Sequence, residues 1–109
     1  MRLKKTEISP NDLKQRIDDK EDFVLMDVRE PEEFEICHIN GSILVPFSEF
    51  EDHLPDFSRE REYVLHCKTG DTSEEALSVL KKKGFLSVKT LEGGIMKWAE
   101  LIEPRMEKY

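Results

Sequence analysis

Apolar positions in this chain fall in short continuous runs. Between them lie polar stretches in which apolar residues recur at helical spacing. Runs of the first kind predict strands covered on both faces, stretches of the second kind predict amphipathic helices, and their alternation predicts an α/β fold. The predicted strands are Phe23–Val28, Ile43–Val45 (ended by Pro46), Glu62–Cys67 and Val88–Leu91. Ser9-Pro10-Asn11-Asp12 predicts a helix start: Ser9 caps, Pro10 suits the first helical position, and Asp12 sits favourably in the first turn. Leu13 and Ile17, four apart, give that helix its buried edge. Glu30–Phe34, with Pro31 at its start, predicts a short helical turn, and Asn40-Gly41 a chain reversal. Ser48 is placed to cap a short helix through Leu54. A longer helix is expected from Ser73 to Lys83, with Ala76, Leu77 and Leu80 along one side, Lys81-Lys82-Lys83 at its negative end and Gly84 as the stop. Gly93-Gly94 reads as a flexible break before a helix Ile95–Leu101, which Pro104 closes. Residues 104–109 read as a C-terminal tail, and residues 1–109 as one domain without repeat or linker.

Charge and cysteine content narrow the function. The chain has 24 acidic and 17 basic residues, a net charge of −7. That balance argues against a nucleic-acid surface, which relies on basic residues to neutralise phosphates, and against a polybasic membrane anchor. The basic start Met1–Lys5 has no apolar stretch behind it, so no signal peptide is expected. No apolar run approaches the roughly 20 residues that span a bilayer. Two cysteines, Cys37 and Cys67, do not make a disulfide framework. The expected compartment is the reducing cytoplasm, where a cysteine is either buried filler or a working thiol.

The segment Val64–Ser73 carries the most chemistry. A buried strand ends at Cys67, and a helix is expected to begin six residues later, across a loop that contains Gly70. Sites in open α/β sheets form beyond the carboxyl ends of the strands. A curled loop lets backbone N–H groups converge, and the helix N-terminus adds partial positive charge. A cysteine facing such a cradle is held as the nucleophilic thiolate. Lys68 adds positive charge and Asp71 works against it, so the field is expected to come mainly from amides and dipole. A free cysteine within a strand is more often packing, but the strand-end position favours function for Cys67. Cys37, between Glu35-Ile36 and His38-Ile39, reads as a partly buried connector. Cys37-His38 and His66-Cys67 could supply four metal ligands, but neighbours on an extended strand point to opposite faces and the spacing matches no common zinc pattern, so no metal site is expected. His66 reads as a strand residue packed on the sheet, His53 as an exposed helix residue, and His38 as a residue that fixes its loop through hydrogen bonds. Cysteine-dependent phosphatases place an Arg six positions after the Cys to grip phosphate; here that position is Ser73, which argues against phosphatase chemistry.

Four segments in order resemble the rhodanese family. They are Asp27–Phe34, His38–Ile43, the six-residue loop Cys67-Lys68-Thr69-Gly70-Asp71-Thr72, and Leu91–Trp98 with its Gly-Gly-x-x-x-Trp element. The resemblance implies a doubly wound, mainly parallel sheet with helices on both faces, and a Cys67 that carries sulfane sulfur as a persulfide. It implies that the backbone amides of Lys68, Thr69, Gly70, Asp71, Thr72 and Ser73 hold the anionic substrate and the terminal sulfur. Asp27 and Arg29 would organise the structure beneath the loop. Lys68 stands where the family often has Arg, which keeps the charge and loses the bidentate fork; Asp71 at the fifth loop position weakens the case for tight thiosulfate binding. Glu35–Ile39 and Trp98–Tyr109 are further similar to rhodanese domains fused behind adenylating enzymes of the molybdopterin-synthase-sulfurylase type. That likeness implies thiosulfate or a persulfide donor such as a cysteine desulfurase. The acceptor would be a thiol, cyanide or an adenylated ubiquitin-like sulfur-carrier protein. The context would be molybdenum-cofactor synthesis or a related pathway, with no metal or organic cofactor needed. The rival reading is a non-enzymatic module on the same scaffold, serving protein interaction or redox sensing.

Overall fold

A computed structural model describes residues 5–109; Met1–Lys4, part of the basic start that argues against a signal peptide, lie outside the described residues. In chain order the elements are β1 (Glu7–Ile8), α1 (Pro10–Asp18), β2 (Val24–Asp27), α2 (Pro31–Ile36), β3 (Ile43–Leu44), α3 (Phe50–His53), β4 (Glu62–His66), α4 (Asp71–Lys82), β5 (Ser87–Leu91) and α5 (Gly94–Leu101). The strands form one sheet in the order β1-β5-β4-β2-β3, with every pairing parallel. The fold is the α/β class that the alternating pattern predicts.

Side chains of successive strand residues leave the sheet on opposite sides, and each side has its own core. On one side Met26, Tyr63, Leu65 and Val88 pack with Ala76, Leu77 and Leu80 of α4 and with Phe50 and Leu54 around α3. On the other, Ile8, Leu25, Val64 and Leu91 pack with Leu13 of α1 and with Ile95 and Trp98 of α5. Cys67 belongs to the first core, whereas His66, one residue earlier, lies in strand β4 and is fully buried. Two layers of helix therefore cover the sheet, which is why its strands read as continuous apolar runs.

The first helix starts as its residues dictate: the Ser9 hydroxyl accepts the Asp12 N–H at 3.1 Å, and Leu13 is fully buried. Its other end is tied to β4, where Arg16 donates to both carboxylate oxygens of Glu62 at 2.8 and 2.6 Å. The pairing holds the Glu62 carboxyl below its ordinary range, because the charge-assisted bonds favour the ionised form.

The structure departs from the sequence-based expectations at five places. β1 adds a fifth strand; two residues without an apolar run leave no periodic signal, and only the pairing with β5 reveals them. Ser48 caps nothing. The segment is a 3-10 turn over Phe47–Glu49, then α3, then a second 3-10 turn over Leu54–Asp56, and the Ser48 hydroxyl instead donates to Glu30 Oε1 at 2.8 Å. Helix α4 begins at Asp71 rather than Ser73, because Gly70 takes a φ of 128° and turns the chain into the helix two residues earlier. Gly93-Gly94 is no flexible break but a tight left-handed turn, with φ of 74° and 63°. The segment after Pro104 is not a free tail. Met106 packs on the second core and Tyr109 reaches back to Arg29 and Glu33. Among the described residues no helix is long and apolar enough to cross a membrane.

Candidate active site

The chain leaves β2 towards β3 and leaves β4 towards β5, in opposite directions along the sheet. The reversal opens a crevice beyond the carboxyl ends of β2 and β4, the place where open α/β sheets take their ligands. A cavity of about 320 Å³ lies there, lined by Val28, Arg29, Glu30, Glu33, Phe47, Ser48, Cys67, Lys68 and Thr72. Cys67 immediately follows β4 and is 3 % exposed.

The loop after Cys67 folds over its sulfur. The Gly70 N–H donates to Sγ at 3.0 Å and the Ser73 N–H at 3.3 Å. The Ser73 side chain, fully buried, stands 3.5 Å from Sγ and donates to the Gly70 carbonyl at 3.0 Å, which braces the loop. Two amides aimed at one sulfur, at the positive end of a 12-residue helix, stabilise negative charge that builds there. Gly70 makes this possible, since its positive φ turns its own N–H back towards the sulfur while opening α4. Of the other loop residues, Lys68 and Thr72 line the cavity, while Thr69 and Asp71 are exposed.

A second helix end supports the loop from below. The N–H groups of Ile95 and Met96, which open α5, donate to the carbonyls of Cys67 and Lys68 at 2.9 and 3.1 Å. Gly94 permits the approach, because a Cβ there would lie 2.7 Å from the Cys67 carbonyl oxygen. The carbonyls of the loop thus face α5, and the amides of Gly70 and Ser73 face the sulfur.

Asp27 and Arg29 sit beside this loop, wholly inside. Arg29 donates through Nε and Nη2 to both Asp27 carboxylate oxygens, at 2.7 to 3.1 Å, and its Nη2 also donates to the Cys37 carbonyl at 2.6 Å. Its Nη1 donates to the Tyr109 hydroxyl at 2.8 Å. The pair joins the end of β2 to the connector that holds Cys37. Against the cost of burial, these bonds hold the guanidinium's pKa above its ordinary range. Cys37 is half-buried and does not line the cavity. His38 is where its neighbours suggest, with Nδ1 3.0 Å from the Phe34 carbonyl and its ring stacked on Phe34. Among the described residues no group of three or more His, Cys, Asp or Glu side chains could hold a metal ion.

Sequence reasoning missed three contributors: Tyr109, Glu30 and Glu33. Tyr109 donates its hydroxyl to Glu33 at 2.9 Å and lays its ring against Lys68, whose Nζ is 4.3 Å from the centroid. Glu33 accepts the Glu30 N–H at 3.3 Å, a helix-start contact that the spacing Glu30-x-x-Glu33 does encode. No sequence signal links Tyr109 to a loop 41 positions away from it.

A family model described as "Rhodanese-like domain" matches residues 9–101. The chain belongs to that family. The Mycobacterium tuberculosis protein named "Probable adenylyltransferase/sulfurtransferase MoeZ" is 40 % identical to this rhodanese domain over 104 residues, covering 94 % of this chain and 26 % of the relative. A "Sulfurtransferase" of Allochromatium vinosum is 32 % identical over 93 residues, covering 85 % of this chain and 87 % of the relative. The crystal structure of a rhodanese-related protein from Thermoplasma volcanium superposes with a TM-score of 0.77 at 33 % identity, covering 86 % of this chain and 90 % of that one. The chain thus spans about a quarter of the first of these relatives and most of the other two.

Proposed function

We propose that this rhodanese domain is a sulfurtransferase that carries sulfane sulfur as a persulfide on Cys67. The observation that carries the reading is the pair of amides, Gly70 and Ser73, directed onto Sγ at the sheet's reversal point. In the first step the Cys67 thiolate attacks the outer sulfur of thiosulfate, or of a persulfide borne by a donor such as a cysteine desulfurase. A bond forms between Sγ and that sulfur, the donor's sulfur–sulfur bond breaks, and its electron pair departs with sulfite or with the donor thiolate. In the second step cyanide or a thiolate attacks the terminal sulfur, the sulfur–sulfur bond breaks and the Cys67 thiolate departs regenerated, so the kinetics are ping-pong. With an acyl adenylate the persulfide instead attacks the carbonyl carbon and AMP leaves. A thiol then cleaves the acyl disulfide to free the thiocarboxylate and, after a second thiol, the Cys67 thiolate. The amides of the loop from Lys68 to Ser73 compensate the charge on the terminal sulfur, and Asp27 and Arg29 hold the neighbouring connector in place. The neutral Ser73 offers no fork for a phosphate dianion, which favours sulfur over phosphoryl chemistry.

The M. tuberculosis relative unites adenylyltransferase and sulfurtransferase in its name. This supports, as acceptor, the adenylated end of a ubiquitin-like sulfur carrier, in molybdenum-cofactor synthesis or a kindred cytoplasmic pathway. A thiol or cyanide serves in its place in an assay.

Mass spectrometry of the protein after treatment with thiosulfate, or with a cysteine desulfurase and cysteine, tests the reading. The Cys67 peptide is expected to gain one sulfur atom, Cys67→Ser to lose both the adduct and all turnover, and Cys37→Ser to keep most of the activity. An adduct confined to Cys37 refutes the assignment. No adduct with either donor would make the domain an interaction or redox module.

A further inference from the structure

The mouth of the Cys67 cavity carries two cations, Arg29 and Lys68, and two carboxylates, Glu30 and Glu33. Arg29 is committed to Asp27 and to the Cys37 carbonyl. Lys68, next to Cys67 in the chain, has no ion-pair partner among the described residues; its ammonium rests on the Tyr109 ring, 4.3 Å from the centroid. That is well inside the range of about 6 Å over which a ring face attracts a cation. The ring is fixed in turn, since the Tyr109 hydroxyl accepts from Arg29 at 2.8 Å and donates to Glu33 at 2.9 Å. Burial, with the Glu33 bond aiding it and Arg29 opposing, pushes the phenol up to about 12, so it stays protonated and keeps its bond to Glu33. The segment that carries Tyr109 is anchored independently of it: Met106 packs on the core, and the Trp98 indole N–H donates to Glu103 at 2.6 Å.

We propose that Tyr109 is a positioning residue for sulfur transfer: its ring holds the Lys68 ammonium at the mouth of the Cys67 cavity, where it meets the anionic end of the sulfur donor. The inference rests on the persulfide reading above and adds to it the group that fixes the charge. Thiosulfate and an ionised persulfide both bring negative charge to this mouth, and Lys68 is the one lining cation not already bound to a carboxylate. A lysine loses much rotamer freedom when held in one place, and the ring takes that loss before the donor arrives. The effect therefore falls on donor capture rather than on the making and breaking of sulfur bonds.

Steady-state kinetics with thiosulfate and cyanide test the proposal. Tyr109→Leu is expected to raise the KM for thiosulfate about two- to fivefold, with kcat nearly unchanged, while Tyr109→Phe, which keeps the ring but loses the hydroxyl bonds that fix it, is expected to raise it less. In a Lys68→Met background Tyr109→Leu is expected to change nothing further. An unchanged KM in Tyr109→Leu, or the same rise in the Lys68→Met background, overturns the proposal. A readout without turnover separates it from the persulfide reading. The Lys68 ε-methylene protons should be shifted upfield by the ring current in wild type and Tyr109→Phe, and not in Tyr109→Leu. Absence of that shift in wild type defeats the Tyr109 contact whatever the activity. A normal shift in a protein whose Cys67 takes up no sulfur defeats the persulfide reading, and with it the donor-capturing role of Lys68.

Discussion

Asp27 and His66 stand opposite each other in the β2–β4 register, both fully buried. Arg29 takes the Asp27 carboxylate with its fork, which leaves His66 Nε2 3.8 Å from the nearer oxygen, beyond hydrogen-bonding distance. Neither ring nitrogen of His66 makes a hydrogen bond of good geometry. Burial pushes the imidazole pKa down to about 4, with Asp27 pulling it up and Arg29 pushing it down. The ring is therefore neutral in the folded protein at neutral pH, whereas in the unfolded chain it titrates near 6.5. Between those values the unfolded chain binds more protons, so the stability is complete above pH 6.5 and falls as pH drops towards 4. The full loss amounts to about 3 kcal/mol at 1.36 kcal/mol per unit. Urea titrations of wild type and His66→Leu across that window are expected to differ in pH slope, with the variant flatter. Equal slopes would mean that some other group drives the acid sensitivity. The Asp27–Arg29 pair follows the same physics with the opposite outcome, since each buried charge has a matched partner and the pair ties strand to connector.

Elements matter here through their ends. The start of α4 supplies the Ser73 amide to the Cys67 sulfur, and the start of α5 binds the carbonyls of Cys67 and Lys68. Gly94 carries the second contact at a φ of 63°, with no room for a side chain against the loop backbone. Gly94→Ala forces a left-handed alanine and a clash with backbone that cannot yield. It is expected to cost at least about 2 kcal/mol in urea unfolding and to slow sulfur loading, because the displaced carbonyls belong to Cys67 and Lys68. A variant as stable and as fast as wild type would show that the loop does not lean on α5. The loop–helix unit was legible in sequence as to its kind. Its boundaries were not, because Gly70 and Gly94 act through backbone angles that polar patterning does not encode.

At the scale of the whole molecule, charge and site pull in different directions. The protein carries a net charge of −7, so under the proposed function a thiosulfate dianion would approach against the long-range field, and the local amides and Lys68 would have to capture it. Added salt screens the long-range part first. The kcat/KM for thiosulfate is therefore expected to rise between low and physiological ionic strength. A steady fall would mean that attraction to the local cation outweighs the repulsion. The cavity where the sheet reverses is lined by Cys67, which is only 3 % exposed.

The linear chain by itself determined the α/β class, four of the five strands among the described residues and the cysteine to examine. Runs such as Phe23–Val28 and the caps at Ser9 and Gly84 act within a few residues, and nearest-neighbour physics is written locally. What only the tertiary structure decided is who meets at Cys67. The Tyr109 ring lies against Lys68, the start of α5 beneath the loop, and Arg29 between Asp27 and the Cys37 carbonyl. The Tyr109 and α5 contacts join residues far apart in the chain, and the Arg29 contacts depend on where the chain turns after β2. Their energy depends on distance and angle in space, which the order of residues states only once the sheet has closed.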